Sequence, residues 1–247
     1  MIYINGKWTE GKSSSFSSIS PLDNKLIWDG NYASNSQVLN AINSAHAAFP
    51  DWNKRGLDSR LKIIQRFYTL LEINKEKIKD LIKLETGKEL GDSLSEVGAS
   101  IAKYKNSLNA FHERTGKSSS PLGKNTQITN HRPHGVLSVI GPFNFPFHLP
   151  NGHITPALIA GNVIIFKPSE HTPLVGELMV QLWHEAGIPN GVINLLHGSK
   201  DVVRSLAKHP KTNGLLFTKA LAKVEGAISC LFAKSTYLVI AISPLAV

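Results

Sequence analysis

A chain of 247 residues with 42% hydrophobic content can bury a substantial core, which excludes a disordered chain. The net charge of +9 is spread along helical stretches such as Lys75–Asp80, where bases alternate with acids, so it argues for solvated helix faces and small anionic partners, not nucleic acid. One cysteine, Cys230, excludes an intramolecular disulfide. The amino terminus lacks a secretory pattern and the apolar run 237–247 is too short to cross a bilayer, so a cytoplasmic protein with no membrane partner is expected.

The chain opens with Ile2 to Trp8, where Asn5-Gly6 separates two short β-prone runs and predicts a hairpin. Ser13 to Ser18 reads as a serine-rich turn. Helical spacing follows at Val38, Ala41, Ile42 and Ala45, and again at Ile64, Phe67, Tyr68 and Leu71. Leu90, Leu94, Val97, Ile101, Tyr104 and Leu108 predict one long helix whose stripe faces the core and carries no function. From Pro133 strands and helices alternate. Strands are expected at 136–140, 163–166, 192–196 and 214–218, with helices through 156–160 and over 173–186. That alternation predicts an α/β fold with a Rossmann-like parallel sheet and flanking helices, preceded by the hairpin and the early helices. No linker, repeat, G-x-G-x-x-G or P-loop pattern is present, and no metal site is expected.

Ligands of open parallel sheets bind beyond the carboxyl ends of the strands. After the first strand, Gly141-Pro142-Phe143-Asn144-Phe145-Pro146 is a stiff turn that can aim an amide as an oxyanion donor, or in which Asn144 merely caps a helix. After the second, Lys167 and Glu170 can hydrogen-bond a ribose or form a surface ion pair. After the third, Gly198 lets backbone approach a cofactor. Spacing alone leaves these alternatives open.

Six segments resemble the aldehyde dehydrogenase superfamily, in the family's order: Tyr3 to Trp8, Glu85-Thr86-Gly87-Lys88, Gly141 to Pro146, Ala160-Gly161-Asn162, Phe166 to Glu170, and Leu216-Phe217-Thr218. Phe111 to Gly116, Arg132 to Val136 and His148 to His153 further resemble the succinylglutamate-semialdehyde dehydrogenase branch. The resemblance implies NAD(P)-dependent oxidation of an aldehyde to a carboxylate, with succinylglutamate semialdehyde as the arginine-catabolic substrate. It implies that Asn144 stabilises the oxyanion of a thiohemiacetal and that Lys167 and Glu170 hold the adenosine ribose. Pro142 and Phe143 would border the nicotinamide side, and Gly198 the adenine end. NAD is favoured over NADP because Glu170 would repel a 2′-phosphate. The hairpin and the strands around 128–132 would serve a homo-oligomer, and Arg114 is the candidate for the substrate carboxylates.

After Thr218 the resemblance stops. Where the family has a glycine-rich phosphate cradle this chain has Lys219-Ala220-Leu221-Ala222-Lys223, and no Glu-Leu/Met-Gly-Gly or Gly-Gln-x-Cys segment follows. Cys230 lies among apolar neighbours, which suits a structural thiol, and Glu225 gains no support as a base. The expectation is therefore an incomplete aldehyde dehydrogenase fold: a cofactor-binding domain over 1–218 and an aberrant, out-of-frame tail over 219–247. Such a chain is inactive alone, or is a non-catalytic nucleotide-binding or regulatory fragment that needs a separately encoded catalytic half. A sheet cut short is also expected to expose an unpaired edge and to be marginally stable.

Overall fold

The computed structural model describes residues 1–217 and 238–241. Lys219, Glu225 and Cys230 lie outside the described residues. The opening hairpin forms as expected from strands β1 (Ile2–Ile4) and β2 (Lys7–Thr9), and both turn residues, Asn5 and Gly6, have positive φ, as a two-residue type I′ turn requires. Contrary to the serine-rich turn expected at 13–18, β3 (Ser15–Ile19) pairs antiparallel with β4 (Leu26–Asn31). Four helices follow: α1 (Asn35–Lys54), α2 (Leu57–Ile73), α3 (Lys75–Thr86) and α4 (Leu90–Arg114). An exposed two-stranded ribbon, β5 (Lys117–Leu122) and β6 (Asn125–Asn130), leads into the alternating half. That half comprises β7 (Val136–Ile140), α5 (His148–Ile159), β8 (Val163–Lys167), α6 (Pro173–Glu185), β9 (Ile193–Leu195), α7 (Lys200–Lys208) and β10 (Gly214–Phe217).

Strand β11 (Leu238–Ala241) completes a seven-stranded sheet of order β11-β10-β7-β8-β9-β1-β2. Its five members from β11 to β9 run parallel, whereas β1 joins β9 antiparallel through Tyr3 and Leu195. The sheet is therefore mixed, and the hairpin extends it instead of merely preceding it. The edge of β10, expected to be unpaired, is covered by β11 in register from Gly214–Leu238 to Phe217–Ala241. Strand order reverses at β7, with β8 on one side and β10 on the other, and a crevice at such a switch point is where open α/β sheets take ligands.

Both sheet faces are covered, which is why β7 and β8 are buried along their whole length. Helices α1 and α7 pack together on one face; α5 and α6 cover the other, backed by an outer layer of α2, α3 and α4. The core joins the layers through Phe67 on α2 and Trp183 on α6, stacked at 3.7 Å between centroids.

The α4 stripe is offset from its expected position. Leu90 and Leu94 are exposed, and the buried face is Ser93, Glu96, Val97, Ser100 and Ser107. Small hydroxyls let α5 lie close, because Ser93 and Ser100 donate into their own helix, to the carbonyls of Glu89 and Glu96.

The outer layer also terminates the inner helices. Glu96 Oε1 accepts from the amides of Phe147 and His148 at the start of α5, and Glu85 accepts from Leu174 and Val175 at the start of α6. At the other end of α5, the buried Arg60 donates from Nε and Nη2 to the carbonyl of Ile159 and from Nη1 to that of Asn53. An acid at the positive end of α5 and a guanidinium at its negative end match the helix dipole. Arg60→Met keeps the apolar stem but leaves those carbonyls without their donors. A loss of about 2–3 kcal/mol is expected, read as a lower urea midpoint; an unchanged midpoint would show that water replaces the guanidinium.

Candidate functional site

The turn after β7 and the turn after β8 lie side by side. The Gly141 amide donates to the Lys167 carbonyl at 2.9 Å, continuing the β7–β8 register one residue past the strands. Further along, the half-exposed Phe143 meets His171 edge-on at 5.9 Å between centroids. The turn that carries Asn144 and the Lys167–Glu170 turn thus start side by side at the carboxyl ends of adjacent parallel strands.

Asn144 lines a cleft of about 500 Å³ together with Lys88, Asp92, Glu96, Phe145 and His148. It does not cap α5. The cap residue is Phe147, without a side-chain cap bond, and the first amides are taken by Glu96. The cleft opens between the turn and the first half of α4, and its lining does not include Lys167 or Glu170. Burial, with Lys103 and Lys88 nearby, pushes the His148 imidazole down to about 4, so His148 itself is uncharged at neutral pH.

Lys167 is almost wholly buried, with a side chain 5% exposed, and its Nζ lies 3.0 Å from Glu170 Oε2. The ion pair that spacing allowed is therefore present, with its lysine end buried and its glutamate end part-exposed. Burial also drives the Lys167 ammonium below its ordinary range, while the Glu170 charge and hydrogen bond oppose the shift. Glu170, by contrast, is 36% exposed and can accept from hydroxyls brought to the strand end.

A shell of N-terminal aromatics supports this end of the sheet. Phe16 stacks on Tyr32 at 4.2 Å, Trp28 meets the ring of His197 at 5.0 Å, and Ser18 Oγ donates to the His171 carbonyl. Glu177 Oε1 accepts from Trp28 Nε1 at 2.9 Å and lies 3.0 Å from His197 Nε2, so the residue before Gly198 is fixed from below.

Gly198 gains a packing role beside its expected one, and Arg114 lies away from the cleft. A Cβ on Gly198 would lie 2.2 Å from Val202 Cγ2, so the glycine is required by the fit of α7 against the end of β9, whatever approaches from outside. Arg114 ends α4, 15 residues beyond Ala99, the last cleft residue on that helix; at 1.5 Å per residue it is about 22 Å away and cannot line the cleft. The residues that sequence reasoning missed are Lys88, Glu96 and His148. No local signal marks them: Glu96 lies on a buried face made mostly of serines, and its partners come from other elements.

The sequence profile of the aldehyde dehydrogenase family matches residues 8–223. The chain belongs to the aldehyde dehydrogenase family. This aldehyde dehydrogenase chain is 47% identical over 217 residues to an N-succinylglutamate 5-semialdehyde dehydrogenase of Acinetobacter baylyi, covering 88% of this chain and 44% of that one. It is 46% identical over 225 residues to the protein of that name from Chromohalobacter salexigens, covering 91% and 46%. The chain therefore spans under half the length of the curated relatives it matches. Among solved structures it is similar to an NADP-dependent glyceraldehyde-3-phosphate dehydrogenase from Bacillus halodurans in complex with NADP (TM-score 0.90, 26% identity, 97% of this chain and 52% of that one). It is equally similar to an NAD-dependent benzaldehyde dehydrogenase from Corynebacterium glutamicum (TM-score 0.90, 27% identity, 98% and 54%). Among the described residues no helix of this aldehyde dehydrogenase is long and apolar enough to cross a membrane, and no cluster of three or more His, Cys, Asp or Glu could hold a metal ion.

Proposed function

We propose that residues 1–217 form the nucleotide-binding part of an enzyme that oxidises N-succinylglutamate 5-semialdehyde to the acid with NAD. The observation that carries this reading is the Gly141–Lys167 backbone bond, which sets the Asn144 turn beside the Lys167–Glu170 turn. The relatives' names supply the substrate. A buried ammonium beside a part-exposed carboxylate suits a ribose: Lys167 donates to a hydroxyl oxygen and Glu170 accepts from the hydroxyls. When bound, the nicotinamide accepts the hydride. Asn144 donates to the developing oxyanion, Pro142 stiffens its turn, and Phe143 borders the nicotinamide. Gly198 keeps the adenine end free of side-chain bulk. The ribbon around 128–132, with Ile128 exposed, serves assembly of like subunits.

Aldehyde oxidation by this route requires a thiol and a base, and residues 1–218 offer no segment to which the family resemblance assigns either. Residues 219–247 are read as an aberrant tail, and the chain by itself as catalytically silent. Purified protein is expected to bind NADH weakly and to produce no NADH from an aldehyde; sustained aldehyde-dependent NADH production refutes the silent-chain reading.

Lys167→Ala removes a charge-assisted donor, so NADH affinity measured by fluorescence titration should fall at least about tenfold, the equivalent of about 1.4 kcal/mol. Glu170→Gln removes the charge that repels a 2′-phosphate and should move the preference toward NADPH about fivefold, since an exposed charge contributes up to about 1 kcal/mol. Unaltered binding in Lys167→Ala would place the nucleotide elsewhere.

A further inference from the structure

The cleft around Asn144 contains a polar arrangement that does more than cap α5. Glu96 is 2% exposed, and its two carboxylate oxygens serve different elements. Oε1 accepts the Phe147 amide at 3.0 Å and the His148 amide at 3.1 Å, while Oε2 accepts Lys88 Nζ at 2.6 Å. The same ammonium sits 3.7 Å above the centre of the Phe145 ring, the residue after Asn144. Lys88 precedes α4 and Glu96 lies two turns into it, so the pair ties the start of α4, the ring beside Asn144 and the start of α5 into one unit.

We propose that Lys88 and Glu96 are the positioning residues of Asn144, an inference that rests on the reading of Asn144 as an oxyanion donor. The turn from Gly141 to Phe147 is pinned at two points. Its upstream end is held by the Gly141 amide on the Lys167 carbonyl, and its downstream end by Glu96 on the Phe147 and His148 amides. Asn144 lies midway between these anchors. Slack at the downstream end therefore becomes displacement of its side-chain amide, and an oxyanion donor tolerates little displacement.

Charge supplies the second half of the argument. A carboxylate is the natural cap for the positive end of α5, but an uncompensated one in the wall of this cleft would oppose any negative charge developing at Asn144. The ammonium of Lys88, 17% exposed and bound directly to Glu96, cancels that charge without releasing the cap. Asp92, the other acid in the lining, is solvent-exposed and so is screened by water. The device thus provides a helix cap that is electrically silent toward the cleft.

The test is nitrogen NMR of the full chain, following the side-chain amide of Asn144. In the unmodified chain its order parameter is expected near that of rigid backbone, about 0.8. In Glu96→Ala and in Lys88→Met it should fall below about 0.6, with a shifted cross-peak. Glu96→Gln, which keeps an acceptor for the two amides, should recover most of the order. Arg60→Met loosens the opposite end of α5 and should leave the Asn144 signals in place, which separates positioning from general destabilisation. If Glu96→Ala does not fold, Lys88→Met, nearly isosteric, carries the test. Asn144 signals that are the same in a folded Lys88→Met or Glu96→Ala overturn the proposal. The readout uses neither cofactor nor aldehyde, so a failure of NADH binding overturns the functional reading and leaves this experiment decisive.

Discussion

Trp183→Ala is expected to remove about 4 kcal/mol of stability. Trp183 is fully buried on α6 and lies flat on Phe67 of α2, at 3.7 Å and 5° between ring planes. Truncation leaves a cavity between the inner helix layer and the outer one, where neither helix can collapse inward because α5 and the sheet occupy the space below. The cost combines lost transfer free energy with an unfilled cavity, and the urea midpoint should drop by more than about 1 M. One detail separates this account from a simple area argument. The indole Nε1 is buried without a hydrogen-bond partner among the described residues, which is itself unfavourable. Trp183→Phe keeps much of the stack and discards the orphan donor, so it should cost only about 1–2 kcal/mol. Equal losses for the two variants would mean that the stack contributes little and that the indole is bonded in solution.

Much of the fold was legible because its signals are local. The Asn5-Gly6 pair fixes the hairpin turn through positive φ at both residues, and the unbroken apolar strand at 163–166 announces burial on both faces. The parallel order of β7, β8 and β9 follows from the helices between them. What escaped depends on distant partners. Nothing within Ile2 to Ile4 says that β1 will pair with β9, almost two hundred residues later. Ser13 to Ser18 looks like a turn because serine favours turns, yet Phe16 is drawn into a strand by its stack on Tyr32.

The stripe on α4 misled for a related reason. Val97, Ile101 and Tyr104 of the expected stripe do meet the core, but at the start of the helix Leu90 and Leu94 are exposed and the small Ser93 and Ser100 are buried instead. The candidate site divides in the same way. Asn144, Lys167 and Glu170 could be selected from their places at strand ends. Lys88 and Glu96 could not, because their roles are set by a helix packed across from the turn and not by any neighbour in sequence.

Stability is expected to peak near pH 6.5 and to fall by about 1 kcal/mol by pH 8, because buried groups titrate in opposite senses. Burial pushes the Glu85 carboxyl up to about 8 from an ordinary 4.5, against the pull of the Val175 and Leu174 amides that donate to it. Between those values the unfolded chain has released a proton that the folded chain retains. This contribution is therefore complete below pH 4.5, declines as pH rises, and is gone above 8. Burial, aided by Lys103, pushes His153 down to about 4 from 6.5. Here the unfolded chain binds the proton first, so the contribution is complete above pH 6.5 and is lost as pH falls toward 4. From 4.5 to 6.5 the two slopes are similar and opposed, and the half-buried His148 tips the balance toward stability rising with pH. Above 6.5 the opposition fades as the unfolded imidazoles lose their protons, and from about pH 7.5 Glu85 alone sets the slope, at up to about 1.4 kcal/mol per pH unit. Glu85→Gln keeps an acceptor for the α6 amides and removes the titration. Its urea midpoint at pH 6.5 should be modestly lower than that of the unmodified chain and should stay level up to pH 8. A midpoint that still falls over that interval in Glu85→Gln would show that the carboxylate is held ionised by the start of α6 and that another group causes the loss.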